Sequence, residues 1–337
     1  MSKPDDPITT AMRDLADQAA PPRLRVDAAW RAGRRRRRAA VTCMAGAGAA
    51  VVAALTVGLL AGLPGPRGTH HSTRVTARTA AYVLKRAATQ AVTQSGQPVP
   101  RPGQYILVTS AGLSMTDGGG KDNWLTVERR RIWWPADNRK PGVEWYDAVR
   151  DERFPWSAPP PTSGLGASWL PVPPQGCPDA PPARFTYQFL TTLPTNPAKL
   201  RAWIYAHKNG GQSADGQAWT DIGDLLGTTL TPPKLTAALL KVAATIPGAT
   251  VVPHATDAAG RAGIAVARLI QGSTQDNELV FSPRTYRLLG ERTTLTAPAS
   301  DLGPAGTVIG GWALLNKTVV NHLPRHPQGQ RGTANRC

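Results

Sequence analysis

The sequence predicts an α+β domain, with helices on one face of a curved antiparallel sheet, preceded by one transmembrane helix. Three observations support this prediction. Residues 39–63 contain no charged side chain. Residues 195–248 hold three segments with helical spacing of apolar residues and clear start and stop signals. Residues 249–295 are short apolar runs separated by turn residues, as in an antiparallel meander packed against helices.

The transmembrane prediction rests on the apolar run and its flanks. At about 1.5 Å per residue, a helix over residues 39–63 crosses the roughly 30 Å hydrocarbon core. Arginines cluster before the run and are sparse after it, so the N-terminus is expected in the cytoplasm. A cleaved signal peptide is the competing interpretation, but the basic segment and the apolar run are both too long for one. The topology residues, which also bind anionic lipid at the cytoplasmic face, are Arg34, Arg35, Arg36, Arg37 and Arg38.

The domain boundaries follow from this span. The expected parts are a basic cytoplasmic tail (1–38), the transmembrane helix (39–63), a linker (64–73), the extracytoplasmic domain (74–321) and a mobile C-terminal tail (322–337).

The net charge of the chain is +17, and basic residues exceed acidic ones on both sides of the span. Anionic lipid or acidic wall polymers fit this charge, and export of the domain argues against nucleic acid.

Small residues recur at every fourth position of the predicted membrane helix. Such a ridge permits close contact between helices and indicates a homodimer, although an alanine-rich span also produces the pattern by chance. The ridge consists of Gly46, Ala50, Ala54, Gly58 and Gly62.

The cysteines leave two alternatives open. Cys43 lies in the membrane run, so Cys177 and Cys337 are the two that the exported part contains. They either form a disulfide in that oxidising compartment or stay free thiols, since spacing alone does not give the geometry of a bridge.

The first part of the domain is predicted to be a helix, a hairpin and a loop. Residues 74–94 carry apolar side chains on one helical face. Residues 104–109 and 124–134 have strand composition on either side of a glycine turn, and together they predict a hairpin. Residues 154–182 contain too many prolines for a central strand, and predict an extended loop or lid.

The rest of the domain is predicted to be three helices followed by strands. Thr195 or Asn196 is the N-cap of the first helix, which ends at His207, expected to act as its cap. The second helix runs from Ala218 to Leu226 and ends at Gly227. The third begins at Thr231 and Pro232, and the Pro-Gly pair at 247–248 stops it. The strands are expected at 249–253, 262–270, 278–282 and 286–295, with a final strand pair within 306–320.

No motif for catalysis or for metal binding occurs in the sequence. The serine-hydrolase elbow, the phosphate-binding loop, the H-E-x-x-H helix and the C-x-x-C pair are all missing. The sequence therefore predicts no catalytic residue, no metal site and no cofactor, and the expectation is a protein that is not an enzyme.

One aromatic and basic stretch is a candidate ligand groove. Arg129, Arg131, Trp133 and Trp134 lie in the second strand, where alternation places Arg129, Arg131 and Trp133 on one face. Trp145, Trp156 and Trp169 are near in sequence. Such residues bind amphipathic lipids or glycans through stacking and charge. The simpler interpretation is that the aromatic residues fill the core while the arginines face solvent.

Six segments of the chain carry a resemblance to known proteins. They are VDAAW (26–30), PRPGQY (100–105), FLTTLP (189–194), IPGATVV (246–252), TDAAGR (256–261) and FSPRTYRLLGE (281–291). In these segments the chain resembles a family of actinobacterial single-pass membrane proteins that are anti-sigma-factor-like in layout. The resemblance implies no site residues, and it implies a fold similar in element order to the lipoprotein-carrier fold.

The sequence thus favours a membrane-anchored, non-enzymatic protein whose exported domain binds or senses an envelope component, whether lipid, glycan or protein. A lipid or lipoprotein carrier held at the membrane is one alternative. The other is a regulator that contacts a sigma factor through residues 7–19, although a tail of this length is too short for a complete anti-sigma domain.

Overall fold

The computed structural model describes residues 77–93, 96–117, 123–137, 140–154, 157, 165–172, 186–207 and 213–325. The predicted cytoplasmic tail with its five topology arginines, the predicted membrane helix with its ridge of small residues, and the predicted linker all lie outside these ranges. Cys177, Cys337 and Trp156 do so as well. No helix within the described ranges is long and apolar enough to cross a membrane.

The nine described strands form one antiparallel sheet in the order β4-β3-β2-β1-β9-β8-β7-β6-β5. Two meanders, β1 to β4 and β5 to β9, are joined where the first and last strands pair. The strands are β1 (Tyr105–Asp117), β2 (Asn123–Pro135), β3 (Gly142–Arg153), β4 (Gly166–Val172), β5 (Thr250–Thr256), β6 (Ala262–Leu269), β7 (Gln275–Phe281), β8 (Leu288–Leu295) and β9 (Val308–Val320).

Helices cover one face of the second meander, as predicted. We call this the inner face of the sheet and the opposite one the outer face. The helices are α1 (Ala77–Thr93), α2 (Tyr187–Leu190), α3 (Pro197–Ala206), α4 (Ala214–Gly227) and α5 (Pro233–Ala243). Side chains from both layers form the main core, and those less than 2% exposed include Leu84, Leu200, Ile204, Trp219, Ile222, Leu235, Leu239, Val242, Leu279 and Phe281.

The start signal of α3 acts as the sequence predicts, whereas α4 begins at Ala214, four residues before the predicted Ala218, and α5 begins at Pro233 without a side-chain cap. Asn196 is the N-cap of α3, and its Oδ1 accepts hydrogen bonds from the N–H groups of Ala198 and Lys199 at 3.0 and 3.1 Å. These bonds satisfy two of the donors that every helix start leaves unpaired. At the other end His207 is the C-cap residue, with Nδ1 2.8 Å from the Trp203 carbonyl oxygen.

Replacing Asn196 with alanine is expected to lower the free energy of unfolding by about 1 kcal/mol, because alanine cannot accept these two bonds. Urea denaturation measures the difference. Thr195→Ala is the matched control, since Thr195 is an exposed neighbour outside the cap. An equal loss in both variants would contradict the capping role.

Three strand predictions need correction. Residues 306–320, expected to be a strand pair, contain the single strand β9, which bridges β8 and β1. Gly311 lies within it because a Cβ there would stand 2.5 Å from the Glu291 carbonyl oxygen, so only glycine fits so close to β8. Strand β3 was not predicted. Within the region predicted as a loop, β4 is an edge strand of the described sheet, a position that tolerates Pro171.

Candidate functional site

The four residues of the predicted groove divide between the two faces of β2. Arg129, Arg131 and Trp133 alternate along the strand and lie on the outer face, where Trp133 packs with Val143 and Trp169. Trp134 lies on the inner face, in a cluster with Ile106 and Leu230. The structure therefore brings three of the four together and excludes Trp134.

Strands β3 and β4 add two tryptophans to the outer face. The register places Arg131 opposite Trp145, and Trp145 opposite Trp169. The ring centroids of Trp133 and Trp169 are 6.0 Å apart. We call Arg129, Arg131, Trp133, Trp145 and Trp169 the Trp/Arg surface. Sequence proximity suggested these two tryptophans, but their place in the surface depends on strand pairing that the sequence did not predict.

Both arginines lie over one aromatic ring. The guanidinium carbons of Arg129 and Arg131 stand 5.9 and 5.2 Å from the ring centroid of Trp145. At these distances each cation is attracted to the ring, and the ring limits the motion of both side chains. Trp145 therefore holds two positive charges side by side.

The two arginines differ in their ionic partners. Arg129 donates to Asp147 Oδ2 through Nε and Nη2, at 3.0 and 2.5 Å. Among the described residues no carboxylate lies within ion-pair distance of Arg131. Burial, and then the charge of Arg129, lower the pKa of Arg131, but an arginine remains protonated at any physiological pH. Arg131 thus presents a positive charge that the described part of the chain does not neutralise.

Apolar side chains support the Trp/Arg surface from neighbouring strands. Tyr105 and Val143 are buried beside Trp133, and Leu107, Val320 and Leu323 pack against the same cluster. Burial, and then the charge of Asp137, raise the pKa of Tyr105, so its hydroxyl stays neutral. The tryptophans therefore have a fixed base and little freedom to rearrange.

The inner face of the same strands presents its charge differently. Arg130 Nε donates to Glu144 Oε1 at 2.7 Å, so this cation is paired. Tyr146 lies opposite Arg130 in the register. Burial, and then the neighbouring Glu128 carboxylate, raise the pKa of Tyr146 to about 12. Among the arginines of β2, Arg131 is thus the one that has no ion pair with the described residues, and it lies on the outer face.

A pocket of about 460 Å³ opens elsewhere, between the C-terminus of α1 and the N-terminus of α5. Its walls are largely apolar. The lining residues are Val92, Leu190, Thr191, Thr195, Pro232, Pro233, Lys234 and Leu235. A pocket of this size accommodates part of a lipid chain.

The described part of the chain contains no group of three or more His, Cys, Asp or Glu side chains arranged to hold a metal ion. The largest side chains between the described helix and sheet layers are almost fully buried.

No protein-family model matches this chain, and no curated protein does so either. Among solved structures, the MucA/MucB complex of Pseudomonas aeruginosa is similar at 10% identity and a TM-score of 0.24, over 73% of this chain and 59% of that one. A crystal structure of MucB is similar at 12% identity and a TM-score of 0.25, over 76% of this chain and 64% of that one.

A protein described as an outer membrane lipoprotein-sorting domain, from Vibrio parahaemolyticus, is similar at 7% identity and a TM-score of 0.20, over 74% of this chain and 95% of that one. The alignments cover less than two thirds of the two MucB chains. A likeness of this strength identifies neither a family nor an activity.

Proposed function

We propose that this chain is a single-pass, membrane-anchored, non-enzymatic protein. Its extracytoplasmic domain binds or senses a phosphate-bearing component of the envelope at the Trp/Arg surface. The observation that carries the proposal is Arg131, a guanidinium fixed over Trp145 and without a carboxylate partner among the described residues.

The chemistry of the surface selects the ligand class. A guanidinium matches the geometry of a phosphate and donates two parallel hydrogen bonds to it. The tryptophans beside it offer flat apolar faces for glycerol, sugar or acyl groups. Phosphatidylglycerol and glycerol-phosphate wall polymers share this combination of a phosphodiester with an apolar or polyol neighbour. The overall positive charge of the chain favours both.

Arg131→Gln is expected to weaken binding of such a ligand about tenfold, the effect of losing about 1.4 kcal/mol from one charge-assisted contact. The full chain in nanodiscs of neutral lipid is titrated with dihexanoyl phosphatidylglycerol, and tryptophan fluorescence reports binding. A parallel titration with poly(glycerol phosphate) separates lipid from wall polymer. Dihexanoyl phosphatidylcholine is the control ligand.

Arg284→Gln is the control variant, because Arg284 is an exposed arginine in the turn between β7 and β8. It should bind as the unmodified chain does. Equal affinities of Arg131→Gln and the unmodified chain for both anionic probes would reject the proposal.

A lipid carrier is the second candidate, and the pocket between α1 and α5 is the observation that favours it. Val92 is 53% exposed at this pocket, so the fold tolerates an aspartate there. The charge of the aspartate would disfavour binding of an acyl chain in the pocket. In the same titration a carrier would lose affinity in Val92→Asp and keep it in Arg131→Gln. The proposal above expects the reverse.

A further inference from the structure

Glu291 lies on the inner face of β8, directly beneath α4. Its Oε2 stands 2.8 Å from where a Cβ of Gly223 would be, so the carboxyl reaches the helix backbone only because residue 223 has no side chain. On β9 its cross-strand partner is Trp312, whose ring packs in the same way against Gly227. The two glycines thus allow α4 to pack directly on two side chains of the sheet.

Hydrogen bonds fix the orientation of this carboxyl. Trp219 Nε1 of α4 donates to Asn277 Oδ1 of β7 at 3.1 Å. Since an indole N–H is only a donor, Oδ1 is the acceptor and the amide nitrogen of Asn277 must face the other way. That nitrogen donates to Glu291 Oε1 at 2.8 Å. The second carboxyl oxygen, Oε2, is therefore the one directed at α4.

The charged groups around Glu291 do not favour an ionised carboxylate. From α4 it is faced by Asp224, of the same sign. From β7 it is faced by the neutral Asn277, and no Lys, Arg or His of the described residues forms an ion pair with it. Lys317 lies further along β9, where its Nζ donates to the carbonyl oxygens of Leu226 and Thr229 at 2.7 and 2.5 Å.

We propose that the contact between α4 and the sheet is pH-sensitive: loss of the Glu291 proton loosens α4. Deprotonation places a second negative charge beside Asp224, where the carboxyl lies under Gly223 of α4. The inference concerns regulation of the domain and does not depend on the ligand of the Trp/Arg surface.

The direction of the pH effect follows from the titration of this group. Burial, and to a lesser degree Asp224, raise the pKa of Glu291 from 4.5 to about 7, against the opposing effect of the Asn277 hydrogen bond. Between these two values the folded chain keeps a proton that the unfolded chain has released. Stability from this group is therefore complete below 4.5 and is lost as the pH rises to about 7.

Hydrogen exchange tests the inference on the full chain. Amide protection of α4, corrected for the intrinsic pH dependence of exchange, is compared at about pH 6 and about pH 8, either side of the titration. We expect protection of α4 to fall about tenfold at the higher pH, the effect of about 1.4 kcal/mol, and that of β6 to fall less. Glu291→Gln should remove the difference in α4 protection between the two pH values. Glu152→Gln is the control, because it removes a carboxylate from β3, and it should keep the difference.

A second variant keeps the test decisive if Glu291→Gln perturbs the fold. Because Asp224 raises the pKa of Glu291, Asp224→Asn should move the midpoint of the α4 transition to lower pH. Unchanged protection of α4 across this pH range in the unmodified chain would overturn the inference. A midpoint that stays the same in Asp224→Asn would overturn it too.

Discussion

Replacing Arg292 with leucine is expected to lower the free energy of unfolding by about 3 to 5 kcal/mol. Arg292 Nε on β8 donates to Glu278 Oε2 on β7 at 2.7 Å, and Thr294 Oγ1 donates to the other oxygen at 2.6 Å. Glu278 is only 2% exposed. Without the guanidinium its carboxylate stays buried without a compensating charge, which is the costly way to break an ion pair.

Chemical denaturation of the full chain, monitored by circular dichroism, measures this loss. The double variant Arg292→Leu with Glu278→Leu removes the carboxylate as well, and should recover most of the lost stability. If the double variant were as unstable as the single one, packing around Arg292 rather than the uncompensated charge would explain the effect.

Trp219→Ala is expected to cost about 3 to 5 kcal/mol, because it opens a large cavity in the main core. Trp219 is 1% exposed and belongs to the cluster that joins α4 to the sheet. Its indole also donates to Asn277, so the variant leaves a polar amide without this partner. The same denaturation experiment measures the change.

Trp169→Ala is the matched control for this loss. Trp169 lies half-buried on the edge strand β4, outside the main core. We expect it to cost about 1 kcal/mol or less of stability while weakening the binding of the anionic probes. Similar losses of stability in the two variants would mean that the tryptophans of the Trp/Arg surface are structural, the simpler of the two interpretations offered by the sequence.

Elements with local signals were predictable from the sequence. Asn196 followed by Pro197 marked the start of α3, and the glycine and proline turns marked the second meander. Strand β9 was harder, because Gly311, which suggests a turn there, is needed for close approach to β8. That contact is made between two strands and leaves no local pattern.

The candidate surface was predictable only in part. Alternation along β2 put Arg129, Arg131 and Trp133 on one face, as the structure has them. Trp145 entered the surface through the pairing of β2 with β3, and β3 was not predicted because its polar and charged residues resemble a loop. Glu291 had no sequence signal, since its environment is created by a glycine of α4 and an asparagine of β7.

The central claim, that the Trp/Arg surface binds a phosphate-bearing ligand, is tested most directly by NMR of the tryptophan indole N–H groups. The full chain in neutral nanodiscs is titrated with dihexanoyl phosphatidylglycerol and with poly(glycerol phosphate). We expect the resonances of Trp145 and Trp169 to shift with at least one anionic probe and that of Trp219 to stay in place. In Arg131→Gln the same shifts should require about tenfold more ligand. Shifts confined to other tryptophans, or none with either probe, would contradict the account.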